Sequence, residues 1–443
     1  MRRLSRWILL ACIVLPLAAC GSEKGHVITA DYSLGVSSRM IKVGDAWDDT
    51  NGTWEEILTE IYPLREGKHC RVFLEAEQKI HSDDLDKIIH TFDSAYPKLI
   101  NAFSEDVESI GMDKRIYIIL FDAGGAVEGA ILSGFFDPQI LTYGFFNNNK
   151  YIFLNTRVLY GNGPYWLGKP NPETLDTMMH EFQHLIHWSV TNTPDKTSSS
   201  WLNEAMSEMA PSIAFGRVGP GEWERVKYFT DNSVASQTSL TIWEVDLQKY
   251  AIVYMWGQYM YDRFGPKVFY DILNQSSYDS GINAVEKYLN AQSPPLTFDE
   301  VFEDWSMANI YGNNTGPIRT DNPVWRYKSI DTWAGNQGGV RREGLFGLSR
   351  NQFTDILYPP NLPVFEPYSM RLFVYHPGSY PGYTGLTWPS APGTLTAGIH
   401  DTGPVDYFTN PLLPGDYTFG EKSYLAIRNL STTPSTVPIT LYK

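Results

Sequence analysis

Cysteine is scarce in this chain of 443 residues: there are three. Cys12 and Cys20 fall in the first twenty residues, so Cys70 stands alone in the remainder, and a lone cysteine excludes an intrachain disulfide. Stability must then come from the size of the core. Long hydrophobic runs are missing too. Beyond the N-terminus no stretch approaches the eighteen apolar residues of a bilayer-spanning helix. Positive charge is in short supply, with 35 Lys and Arg against 50 Asp and Glu for a formal net charge of -15. That balance argues against nucleic acid or an anionic surface as a partner. There is no internal repeat, phosphate-binding loop or calcium-loop spacing. Histidine is sparse, nine in all, with none between His187 and His376. What is present is apolar mass: at 43% hydrophobic the chain can hold two or three domains with real cores.

The N-terminus reads as an address. Arg2, Arg3 and Arg6 make a positive start, and the apolar run Trp7 to Ala19 is too short to span a bilayer comfortably. It ends in Leu17-Ala18-Ala19-Cys20, which resembles the bacterial lipobox, with cleavage before Cys20 and lipid on its thiol and amino group. Several acyl chains on one residue suffice for stable anchoring. The expectation is a protein held at the bacterial cell envelope by lipid on Cys20. Loss of residues 1–19 removes three arginines and takes the formal charge from -15 to -18.

The densest chemistry lies in Thr177 to His187, where His180, Glu181 and His184 form His-Glu-x-x-His. Residues four apart on a helix stack one turn above each other, so His180 and His184 can offer two imidazole nitrogens to one metal ion. Glu181 lies beside that face, placed to act as general base and then general acid on a water. Asn171-Pro172-Glu173 reads as a cap, a first-turn proline and a first-turn acid, so the helix starts well before His180. Two histidines leave a tetrahedral Zn2+ one protein ligand short. A second helix, capped by the serines before Trp201, carries Glu204 and Glu208 four apart. Glu204 is the better third ligand, and His187 reads as a neighbouring or packing histidine.

The run Asn203-Glu204-Ala205-Met206-Ser207-Glu208, with Glu204 twenty residues past His184, resembles the Asn-Glu-x-x-Ser-Asp motif of the gluzincin metallopeptidases. The resemblance implies Glu204 as zinc ligand, Asn203 beside it, and Glu208, standing where the family has Asp, on the far nitrogen of His180. Cys70 to Glu75, Gly134 to Asp137, Tyr151 to Asn155, HEFQH and WLNEAMSE together look like hyicolysin-type neutral metallopeptidases over about residues 65–310. That likeness implies a zincin-type domain acting on protein or peptide. Thermolysin-like relatives use a downstream histidine to stabilise the oxyanion, and this chain has none there. Tyrosine serves in other gluzincins, which nominates Tyr250 first and Tyr254 second. Both read equally well as core aromatics on a buried stripe.

Helical periodicity starts at Ser82, read as a cap, and Pro97 is a possible kink site; Arg115 to Phe121 is a buried strand. Tyr151 to Asn155 reads as an edge strand that pairs with extended substrate, preceded by a long Gly- and Asn-rich loop. Pro211 is expected to stop the second helix. Further helices are expected over Val245 to Phe264, Lys267 to Asn274, Ile282 to Ala291 and Phe298 to Ile310, the last with a capping box Thr297-x-x-Glu300. From Gly316, short alternating runs (Met370 to His376, Thr394 to Ile399, Tyr424 to Asn429, Val437 to Tyr442) suggest a β-sandwich. The expected class is α+β: a signal over 1–19, a tether and lead-in over 20–67, a zincin-type metallopeptidase domain over 68–315 and a β-sandwich accessory domain over 316–443. The expected activity is that of a zinc endopeptidase. The alternative is a catalytically silent surface lipoprotein acting as an adhesin or binding protein. An aminopeptidase is disfavoured, because that clan's Gly-x-Met-x-Asn signature is absent.

Overall fold

The computed structural model describes residues 3–4, 27–31, 34, 36–48, 53–104, 115–123, 132–138, 150–159, 172–191, 200–231, 238–275, 281–315, 319–333, 335–337, 340–342, 366–375, 385–388, 395–402, 407–409, 413, 415–418, 422–435 and 440–442. Cys20 and its lipobox, Asn171, and most of the loop before Tyr151 lie outside them. The chain divides into two compact units, one of residues 1–195, 209–217 and 269–276, the other of 196–208, 218–268 and 277–443.

The first unit is built on a mixed sheet. Its strands are β1 (Arg3–Leu4), β3 (Arg39–Asp48), β4 (Thr53–Glu66), β5 (Cys70–Glu75), β7 (Ile116–Phe121), β8 (Gly134–Phe135) and β9 (Tyr151–Asn155), in the order β1-β3-β4-β5-β7-β9-β8. A small separate pair joins β2 (Val27–Thr29) to β6 (Lys79–His81). Strands β5, β7 and β9 run parallel, and parallel strands need a crossover. Between β5 and β7 the crossover is α1 (Ser82–Phe103), whose Leu85, Ile88, Phe92, Ala95 and Leu99 are buried at helical spacing. The interior strand β7, IYIILF, is buried throughout, as a strand covered on both faces must be. On one face Ile41, Ile61, Phe73, Tyr117, Ile119, Phe121, Phe135, Tyr151 and Phe153 form a continuous core. The β-rich part of the lead-in thus supplies two strands of the main sheet.

Three local expectations are corrected. Tyr151–Asn155 is not the free edge, because β8 pairs antiparallel on its outer side, Gly134 opposite Leu154 and Phe135 opposite Phe153. Ser82 is the first helical residue, and His81 occupies the cap position without a side-chain bond. Pro211 does not end its helix: α4 runs Ser200–Phe215 with the proline inside. Proline in a helix interior costs about 3 kcal/mol. Here Met209, Ala210 and Ala214 on both sides of it are buried, and that packing carries the helix on.

The second unit holds α5 (Pro220–Asp231), α6 (Leu247–Phe264), α8 (Ile282–Asn290) and α9 (Phe298–Tyr311), while α7 (Val268–Leu273) falls almost wholly in the first. The capping box of α9 is present in full: Thr297 accepts from the Glu300 amide and Glu300 from the Thr297 amide. The C-terminal strands form a pair, β10 (Gly335–Gln337) with β11 (Val340–Arg342), a sheet of four, β12 (Met370–Tyr375), β17 (Lys422–Asn429), β14 (Leu395–Thr402) and β15 (Tyr407–Thr409), and a sheet of three, β16 (Gly415–Thr418), β13 (Gly385–Trp388) and β18 (Thr440–Tyr442). Met307, Ile310 and Tyr311 of α9 pack with Ala426 of β17. Arg428, fully buried, donates to the Glu303 carbonyl at 3.1 Å and to Ser306 Oγ at 3.0 Å. The four-stranded sheet therefore shares its core with the helices before it. The architecture is mixed α and β, consistent with the α+β expectation. Among the described residues no helix is long and apolar enough to cross a membrane.

Candidate metal centre

After the short α2 (Thr156–Leu159) comes the histidine helix α3 (Pro172–Thr191), with Pro172 at its first position and Glu173 in its first turn. Both suit a helix start, where an amide hydrogen has no acceptor and the exposed amide ends favour a negative charge. Thr177 ties its hydroxyl back to the Glu173 carbonyl at 2.9 Å. Phe182 anchors the helix to α1: its ring is 5.2 Å from Tyr96, stacked, and 4.9 Å from Phe92. From Thr174 to His187 nearly every side chain is buried. The edge strand also presses on this helix. A Cβ at Gly134 would lie 2.6 Å from the Phe153 carbonyl oxygen and 2.8 Å from Thr177 Cγ2, so only glycine fits there.

On this rigid support His180 and His184 converge. Their Nε2 atoms are 3.0 Å apart, with ring centroids 4.7 Å apart and planes at 79°. Two imidazoles bound at about 2.0–2.1 Å to one tetrahedral ion would hold their nitrogens roughly 3.3 Å apart, close to this spacing. Glu204 of α4 supplies the third group. One ligand atom from each of His180, His184 and Glu204 lies within 4.8 Å of the others, and all three residues are buried. Two imidazoles and a carboxylate, buried and close, are within reach of one metal ion. Glu181, 3% exposed, follows His180 directly on the helix.

The other predicted residues cluster around α4. Asn203 is buried, and its carbonyl accepts a hydrogen bond from Ser207 Oγ at 3.0 Å, so this serine braces the helix. Glu208 accepts from Arg225 in a fork, Nε to Oε2 at 2.8 Å and Nη2 to Oε1 at 3.3 Å. Arg225 in turn lies over the Tyr250 ring, 5.1 Å from its centre, and Trp243 meets that ring edge-on at 5.1 Å. Burial pulls the Arg225 pKa down, but the Glu208 carboxylate more than offsets it and the net shift is upward. Tyr254 sits elsewhere. Its hydroxyl donates to Gln258 Oε1 at 3.4 Å, Gln258 donates to Asp262 at 2.9 Å, and Asp262 accepts from Lys328 and Ser329, a ladder that ties α6 to the following chain.

Two residues of this neighbourhood escape sequence reading. Arg225 rides on α5, whose start at Pro220-Gly221-Glu222 carries a proline and an acid that could have flagged a helix. Lys150 donates to Ser189 Oγ at 2.9 Å and lies over the Trp188 ring at 5.6 Å, and burial brings its pKa down to about 8. Nothing local in the sequence marks it, because its partners lie on another element. No protein-family model matches the chain, and no curated protein matches it.

Proposed function

We propose that this chain is a zinc-dependent neutral endopeptidase of the bacterial cell envelope, with residues 68–315 forming a zincin-type metallopeptidase domain and 316–443 a β-sandwich accessory domain. The observation that carries the reading is the buried convergence of His180, His184 and Glu204. Two nitrogens and one carboxylate oxygen, with a fourth position for water, match the ligand set of catalytic zinc. Zinc held by these three side chains supplies Lewis acidity that makes water a nucleophile at neutral pH.

The rest of the chemistry falls to the protein. Glu181 accepts a proton from the attacking water as its oxygen bonds to the peptide carbonyl carbon. It returns that proton to the amide nitrogen as the C–N bond breaks, leaving a carboxylic acid and an amine. A tyrosine hydroxyl, Tyr250 before Tyr254, donates to the negative oxygen that develops on the carbonyl. Glu208 orients His180 through its far nitrogen. Cys20 carries the lipid that holds the enzyme at the membrane.

Glu181 also speaks against the silent adhesin, since a binding protein has no use for a buried carboxylate beside two metal-binding histidines. The test uses the full-length chain in detergent. It is expected to hold about one zinc per chain and to cleave casein in a chelator-sensitive way. Glu181→Gln is expected to keep the zinc and lose cleavage. Cleavage that persists in this variant overturns the general-base role, and a wild type that takes up no zinc overturns the whole reading.

A further inference from the structure

Arg225 touches two of the elements that the proposed chemistry needs, and it does so in a buried setting. Its side chain is 12% exposed and that of Glu208 8%. Its Nε and Nη2 grip both oxygens of Glu208, one turn along α4 from the ligand Glu204. Its guanidinium carbon lies over the Tyr250 ring of α6, 5.1 Å from the ring centre, and Trp243 meets that ring edge-on. Glu222, buried on the same helix as Arg225, adds a second negative charge nearby. Lysine could neutralise Glu208 but could neither fork onto both oxygens nor stack its plane on a ring.

We propose that Arg225 is a positioning residue that sets how α4 presents Glu204 to the metal and where the Tyr250 ring stands. The reasoning is mechanical. A helix can rotate about its axis unless side chains on the relevant face are held. Fixing Glu208 at two oxygens fixes the face that also carries Glu204, four residues earlier. The cation–π contact places Tyr250 against the same guanidinium, so one residue links α4 and α6. Tyr254, one turn further along α6, has its hydroxyl on the Gln258 ladder. Of the two tyrosines, Tyr250 is the one that meets the cation gripping Glu208 of α4.

This inference rests on the metal-site reading, and its test separates the two. Zinc affinity of the full-length chain is measured by competition with a chromophoric chelator, for wild type, Arg225→Lys, and the double variant Arg225→Met with Glu208→Gln. The double variant removes Arg225 and Glu208 together, so neither is left as a buried ion without the other. Loss of an outer partner of a metal ligand typically weakens metal binding 10- to 100-fold, and Arg225, which acts through Glu208, sets the low end of that range. Both variants are expected to bind zinc roughly 10-fold or more weakly, with the melting temperature of the metal-free Arg225→Lys protein close to wild type. In the cleavage assay Arg225→Lys is expected to lower kcat more than it changes KM. Wild-type binding with both variants within twofold of it overturns the role of Arg225 alone. A wild type that binds no zinc overturns the metal site beneath it.

Discussion

Glu181 is the residue on which the proposed hydrolysis turns, and its effect has a measurable size. A positioned general base contributes roughly 10²–10⁴ in rate, so Glu181→Gln is expected to lower kcat by that factor in a casein or peptide assay while zinc content stays at wild-type level. Lys150 offers a separate handle through pH. Its folded pKa, about 8, lies below the lysine reference value of 10.5. The unfolded chain then binds more protons between about pH 8 and 10.5, so this residue makes stability rise with pH across that window and imposes its full penalty below it. Lys150→Met is expected to raise stability near neutral pH by about 1 kcal/mol after allowing for solvent screening. The gain should fade as pH climbs past 8, as read from urea midpoints at pH 7 and pH 10. A gain that grows with pH would show that burial is not what lowers this pKa.

At the scale of elements, the histidine helix depends on its contacts with a neighbouring strand as well as on its own sequence. Gly134 lets β8 approach α3 closely enough for Thr177 to touch the strand backbone. Gly134→Ala places a methyl where no space exists and is expected to cost about 1–3 kcal/mol, lowering the thermal midpoint. Because β8 lies against the helix that carries both histidines, zinc affinity should fall along with it. The pair Glu208 and Arg225 makes a second prediction here. Removing only one partner leaves a buried charge uncompensated, at a cost of about 3–5 kcal/mol. Glu208→Ala is therefore expected to be much less stable in denaturant titrations than the double variant that removes both charges.

Helix existence was widely legible in the sequence, because periodic burial and caps are local. The expected helices over Ile282 to Ala291 and Phe298 to Ile310 appear as Ile282–Asn290 and Phe298–Tyr311. What escaped was decided elsewhere in the molecule. Pro211 breaks a helix by local rules, yet burial of Met209, Ala210 and Ala214 keeps α4 intact. The edge of the sheet shifted from Tyr151–Asn155 to Gly134–Phe135 because a two-residue strand is too short to leave a pattern. Helix α5 carried only a proline and a glutamate as signals, and with it Arg225 stayed hidden.

For the whole molecule, the C-terminal strands are part of a packed unit and not an appendage on a linker. Arg428 of β17 is fully buried against α9, and Asn309 of α9 donates to the Met370 sulfur of β12 at 3.5 Å. A chain ending near residue 315 would expose Met307, Ile310 and Tyr311 and remove the cover over α9. It is expected to aggregate or to lack the near-ultraviolet dichroism of a packed core. Recovery of a soluble, cooperatively melting fragment would instead show that the helices fold without these strands.

The sequence by itself determined the chemistry that spacing can encode: two histidines one turn apart, an acid between them, and an Asn-Glu pair at the head of the next helix. These depend on the 3.6-residue period of a helix, which any local stretch displays. Only the tertiary structure decided which cation clamps Glu208, which tyrosine stands beside that cation and which strand closes the sheet. Those choices set residues tens of positions apart side by side. Their reason is packing and charge pairing in a buried space, and no window along the chain contains it.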